Sequence, residues 1–125
     1  MAVTQHSEFS SMTAAADYSA KQYHLVTQTG DQQVTLAGDG VKVFGVINNK
    51  PKSGETAEVV RITAGVTFKV KLEGTVDRGD RLASNANAKA IEAVAGDESF
   101  GYAMEGGVSG DVIECYGDPL LIPTP

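Results

Sequence analysis

The chain has 125 residues, a formal net charge of −6 and a single cysteine, Cys115. That length suits one domain with a modest core, and one cysteine excludes an internal disulfide framework. The acidic balance speaks against general nucleic-acid binding, and no stretch approaches the roughly 20 apolar residues of a membrane helix.

The first twenty residues, MAVTQHSEFSSMTAAADYSA, have neither a basic n-region nor an apolar h-region. No secretory signal is expected, and the cysteine usage fits synthesis in a reducing cytoplasm. Residues 1–22 are rich in Ser, Thr and Ala, lack glycine, and hold Phe9, Met12 and Tyr18 as isolated apolar groups. With no sustained period, the segment reads as an extended N-terminal arm whose anchors enter pockets on a neighbour, or as a frayed terminus. A short helix over residues 13–20 is the only regular element the pattern offers there.

Residues 23–125 read as a β-rich body. Strands are expected over 23–27 and 41–47, with Gly45 at a bulge or a close backbone approach. Residues 48–54, NNKPKSG, form an exposed loop by composition. The clearest pair is 58–64 with 66–72, where Val66, Phe68, Val70 and Leu72 alternate with Thr67, Lys69 and Lys71. Across Ala64-Gly65, Val60 and Ile62 match the apolar face and Arg61 and Thr63 the polar one, which predicts an antiparallel hairpin. A second hairpin is expected over 81–94, with Leu82 and Ile91 inward. Phe100, Tyr102 and Met104 are expected on one strand face, and residues 111–116 form a further strand. The ending Pro119-Leu120-Leu121-Ile122-Pro123 belongs at a sheet edge or against another subunit, because proline lacks the ladder donor. The fold class is therefore all-β: a small barrel or sandwich of short antiparallel strands, with an arm in front.

Six of the fourteen glycines are followed directly by aspartate, and these pairs hold six of the eight aspartates. Glycine reaches positive φ without steric cost, and a short carboxylate can accept backbone N–H groups beyond a bend. The repeated pair marks turns, so these acids cannot be counted as an active-site inventory. Charge is also uneven along the chain. Residues 1–40 carry −3, residues 41–72 carry +4 and residues 73–125 carry −7. Such a positive middle lets copies associate head-to-tail, seats on an acidic partner, or is ordinary solvated charge.

Catalytic patterns do not converge. His6 and His24 lack partners at metal-ligand spacing, and no nearby histidine pattern activates Cys115, which reads as a small buried hydrophobe. No G-x-S-x-G elbow or phosphate loop occurs. Arg78-Gly79-Asp80 spells an adhesion tripeptide but sits in the series of Gly-Asp turns. What remains are surfaces: the cationic face of Arg61, Lys69 and Lys71, the anchors Phe9, Met12 and Tyr18, and the apolar tail Leu120, Leu121 and Ile122.

The order of small motifs adds a resemblance. Ile62-Thr63-Ala64-Gly65-Val66 is followed by Asp77-Arg78-Gly79-Asp80-Arg81-Leu82, then Phe100-Gly101-Tyr102-Ala103, then Ser109-Gly110-Asp111-Val112-Ile113. Over residues 34–122 this order resembles the capsid cement, or head decoration, proteins of tailed bacteriophages. The resemblance implies a structural protein, with neither cofactor nor metal, on the outer surface of a mature phage head. It implies homotrimers at threefold and quasi-threefold positions that clamp neighbouring major capsid subunits, without touching nucleic acid or membrane. Two alternatives belong to other classes: a trimeric all-β enzyme with inter-subunit sites, and an adhesion module using Arg78-Gly79-Asp80. The enzyme would need clustered acids and a glycine-rich tail, which GDPLLIPTP lacks.

Overall fold

Alternation of small polar and apolar residues over short runs produces ten strands and, among the described residues, no helix. The computed structural model describes residues 9–123. The first five strands are β1 (Phe9–Ala14), β2 (Leu25–Gly30), β3 (Gln33–Leu36), β4 (Gly45–Ile47) and β5 (Thr56–Arg61). They close into a barrel in the order β1-β3-β2-β4-β5. The next five are β6 (Thr67–Lys71), β7 (Arg81–Ser84), β8 (Ala90–Glu92), β9 (Glu98–Ala103) and β10 (Val112–Leu121). These form a second sheet in the order β6-β10-β9-β7-β8. Of the named strand pairs only β1 with β3 is parallel, so the expected all-β architecture of short, mainly antiparallel strands is what forms.

The barrel has two working surfaces. Val26, Ile47 and Val59 point into its interior with Met12, Ala14, Tyr18, Val34 and Ala57. Their chain neighbours Leu25, Val46 and Val60 point outward and pack with Phe68, Val70, Leu72, Leu82, Phe100 and Ile113 of the second sheet. Period-2 alternation therefore feeds two cores from the same strands, which is why all three residues of β4 are buried. The Phe68 and Phe100 rings meet in the shared core with centroids 5.8 Å apart and a tilt of 56°.

Three expectations are corrected. From Phe9 onward the presumed arm is strand and turn: β1 lies between β3 and β5, and Met12 and Tyr18 are buried in the barrel interior. The reason is legible in retrospect, since Met12 and Ala14 alternate with exposed Ser11 and Thr13. The 13–20 helix does not form; β1 runs to Ala14 and a turn follows in which the Asp17 carboxylate accepts the Ser19 N–H at 3.0 Å. The part of the expected arm over residues 1–8, with His6, lies outside the described residues.

The 58–72 hairpin is the second correction. β5 pairs with β1 and β4, whereas β6 pairs with β10, so the apolar faces were read correctly and the partners were not. The Thr63–Val66 turn carries the chain round a corner from barrel to sheet. Gly65 adopts φ 89° there, its N–H donates to the Gly117 carbonyl at 2.9 Å, and the Gly117 N–H donates to Val66 O at 2.6 Å. A Cβ on Gly117 would sit inside the contact radius of the Thr63 carbonyl oxygen. The third correction concerns β9. Phe100 enters the core, whereas Tyr102 pairs with and stacks on Tyr116 outside it, so the two do not share the expected face. The hairpin of β7 and β8 forms as expected and Leu82 is buried, but Ile91 pairs with Ala83 on the opposite face and is only half-buried, so it does not join Leu82 inward.

Gly117→Ala is therefore expected to lower stability by on the order of 3 kcal/mol, since the neighbour it strikes is backbone and cannot rotate away. Ser53→Ala, on an exposed turn, should change it by less than about 0.5 kcal/mol. Urea unfolding of both variants measures the contrast.

Candidate interaction surface

Three of the six Gly-Asp pairs build one and the same turn. In Asp77–Asp80, Val94–Asp97 and Val108–Asp111 the third residue is glycine with φ between 90° and 94°. The terminal N–H donates to the first carbonyl at 3.0, 3.1 and 3.0 Å. The aspartate carboxylate reaches back to accept the first residue's N–H at 2.8, 3.0 and 3.0 Å. Lys52–Glu55 repeats the design with a glutamate, at 2.7 Å. These carboxylates thus hold backbone, as expected of turn residues. Asp80 of the Arg78-Gly79-Asp80 tripeptide is occupied in this way, so the tripeptide serves as a turn within the fold.

Among the described residues no group of three or more His, Cys, Asp or Glu could hold a metal ion. Cys115 is fully buried on β10, and burial, with Glu105 and Glu114 nearby, pushes its thiol up to about 12. It stays protonated at neutral pH, which agrees with the reading as a small hydrophobe.

His24 is buried immediately before β2, with 2% of its surface exposed. Burial is the main cause that lowers its pKa, and Lys21, Lys89 and Lys71 reinforce it against the opposing hydrogen bond to Gln22 O. The folded protein therefore resists protonating His24 while the unfolded chain accepts a proton near pH 6.5. Stability from this group is present above that pH and is lost as pH falls through it towards the lower folded value. Melting temperature should drop from pH 7.5 to 5.5 in the native protein, and the slope should shrink in His24→Gln.

The expected surface residues divide into separate places. Met12 and Tyr18 are interior. Arg61 is exposed at the end of β5, whereas Lys69 and Lys71 lie on β6 in the other sheet, so the three do not share a sheet face. Across the ladder Lys69 faces Glu114 and Lys71 faces Val112. Lys69 borders a hollow of about 280 Å³ with Phe9, Tyr23, Asn48, Val60 and Phe68. Lys71 borders a second, of about 240 Å³, with Lys50, Gln22, Val112 and again Tyr23. The fold thus brings Phe9 and Lys69 into one groove, at the seam between barrel and sheet, and places Lys71 beside it.

Tyr23 was not singled out by the sequence. It holds φ 67°, a left-handed backbone that is costly for a bulky residue. Its N–H donates to Ile47 O at 2.7 Å, and its carbonyl accepts the Lys71 N–H at 3.0 Å. It therefore ties the barrel to β6, and nothing in hydrophobic alternation announces such a residue.

The tail forms a different surface. Leu120 and Leu121 are 47% and 55% exposed and pair with Ser99 and Glu98 of β9, and the Ile122 carbonyl after them accepts the Gly96 N–H at 2.9 Å. Ile122 is half-buried, its N–H donating to Asp97 O at 2.8 Å. Upstream, the Arg81 guanidinium clamps Asp118 at 2.5 Å and its carbonyl at 2.6 Å. Arg81 also lies over Tyr102, which stacks on Tyr116 at 5.3 Å, so a cross-strand row braces the outer sheet face.

Neither a protein-family profile nor a curated protein sequence matches the chain. Among solved structures, the fold is similar to the N-terminal base of the head fiber protein gp8.5 of bacteriophage phi29. The TM-score is 0.73 and the identity 18%, over 88% of this chain and 92% of that one.

Proposed function

We propose that this chain is a structural virion protein that binds the outer surface of a phage head and bridges neighbouring major capsid subunits, as a homotrimer. The single observation that carries the reading is the likeness to a head fiber base across nearly the whole of both chains. The motif order of residues 62–113, read independently, supports the same class.

The physical mechanism is association without chemistry. A bridge that binds the assembled lattice and not free subunits stabilises the shell by RT ln(1 + [L]/Kd) per site, and many copies add. Stiffness serves this role, and the self-capped turns and two linked cores supply it. The surfaces offered for contact are the seam groove with Phe9 and Lys69, the adjoining hollow with Lys71, Arg61 at the end of β5, and the tail with Leu120, Leu121 and Ile122. Two exposed leucines, one on each face of the end of β10, favour the tail for contact between copies.

Co-sedimentation with expanded, DNA-free heads tests the reading, and saturable binding is expected. Leu121→Asp should weaken that binding by roughly tenfold or more while leaving the melting temperature unchanged, because the side chain is exposed. Raising salt from about 50 to 500 mM should weaken it further if the lysines meet acidic partners. Absence of saturable binding by the native protein would overturn the reading.

A further inference from the structure

The seam groove runs along an open strand edge. Among the described residues β6 is the terminal strand of its sheet and pairs with β10 alone. The Leu72 N–H donates to Asp111 O at 2.8 Å and the Gly117 N–H to Val66 O at 2.6 Å. In an antiparallel ladder the bonding residues alternate, so Phe68 and Val70 carry the bonds to β10 between those two points. Thr67, Lys69 and Lys71 consequently turn their N–H and C=O groups the other way.

Among the described residues only Lys71 is met there. Its N–H is taken by the Tyr23 carbonyl at 3.0 Å, which closes that end of the edge. Thr67 and Lys69 are exposed, and no partner from the described residues engages their outward backbone groups. The hollow among Phe9, Tyr23, Val60 and Phe68 opens directly beside them. β6 is short and carries Lys69 and Lys71, which disfavour pairing with a second copy of the same edge, but a lined, half-apolar groove beside it leaves room for strand addition by a segment of opposite charge.

Charge narrows the occupant. In a chain of net charge −6, the two adjoining hollows carry Lys50, Lys69 and Lys71 against one acid, Glu114. We propose that the β6 edge takes up an extended acidic segment of another polypeptide by strand addition. The backbone of the segment pairs with Thr67 and Lys69, one apolar side chain fills the hollow, and its acids face the lysines. Tyr23 acts as the stop that sets register. This rests on the proposed capsid role only for the source of the segment, which would be a capsid subunit.

The test needs no heads, so its failure is distinct from failure of head binding. The probe is a capped octapeptide alternating Glu and Val, with a Lys/Val octapeptide as counterpart, titrated against the full chain while amide hydrogen exchange is followed. Saturable binding of the acidic peptide is expected, with exchange at Thr67 and Lys69 slowed by roughly tenfold or more. Thr67→Pro removes an outward N–H without touching the β10 ladder and should weaken binding roughly tenfold, at unchanged β-sheet circular dichroism. Should that variant misfold, Lys69→Glu leaves the backbone intact and should weaken the acidic peptide while favouring the basic one.

Any of the following outcomes overturns the proposal: no saturable binding, equal binding of both peptides, protection confined to other amides, or protection of Thr67 and Lys69 before any peptide is added. Protection that instead rises with protein concentration means that a second copy occupies the edge, which also overturns it.

Discussion

Two halves of this chain are joined where backbone meets backbone with no room for a side chain. The Thr63–Val66 turn rides over β10 at Gly117, and Gly117 pairs across β10 and β9 with Gly101. A Cβ at Gly101 would overlap the Tyr116 carbonyl, just as one at Gly117 would overlap that of Thr63. Because those neighbours are peptide groups, the space cannot be made by a rotamer change. The corner therefore fixes how far barrel and sheet can separate. It sends β5 into one and β6 into the other, lets Val60 and Ile62 share a core with Val66 and Phe68, and leaves β6 as an open edge.

Local stiffness follows from a second economy. A carboxylate that caps its own turn replaces water at a backbone donor and keeps the loop narrow. Repeating it at Asp80, Asp97 and Asp111 holds three connections of the second sheet with few residues. Those acids are exposed or half-exposed, yet their oxygens are directed inward to the loop. They keep their charge but are fixed in the loops of the second sheet. A body built this way suits a task of holding position, and its contact surfaces lie at the seam and at the tail.

Alternation carried much of the fold to the reader of the sequence. Val66, Phe68, Val70 and Leu72 are buried as their spacing required, and Lys69 lies on the polar face. Strand identity followed from such runs, and turn identity from the Gly-Asp pairs. Partnership did not, because a face says where a side chain points and not which strand lies beside it. Residues 63–66 look like a hairpin turn by composition; only the glycine at position 117, fifty residues on, converts them into a corner. The N-terminal strand was missed for a related reason. Its inward face holds Met12 and Ala14, too little apolar surface to register as a period, and a barrel interior that needs only small groups at that point accepts it. Tyr23 was illegible because its role lies in its two backbone hydrogen bonds and not in its side-chain class.

The central claim is that this scaffold works by bridging subunits of a phage head. A reconstruction of heads saturated with the protein tests it most directly. The account predicts added density of the size of this β body spanning at least two capsid subunits, with the seam groove or the tail at the contacts. A bare shell at saturating protein, or density confined to a single subunit, would contradict it.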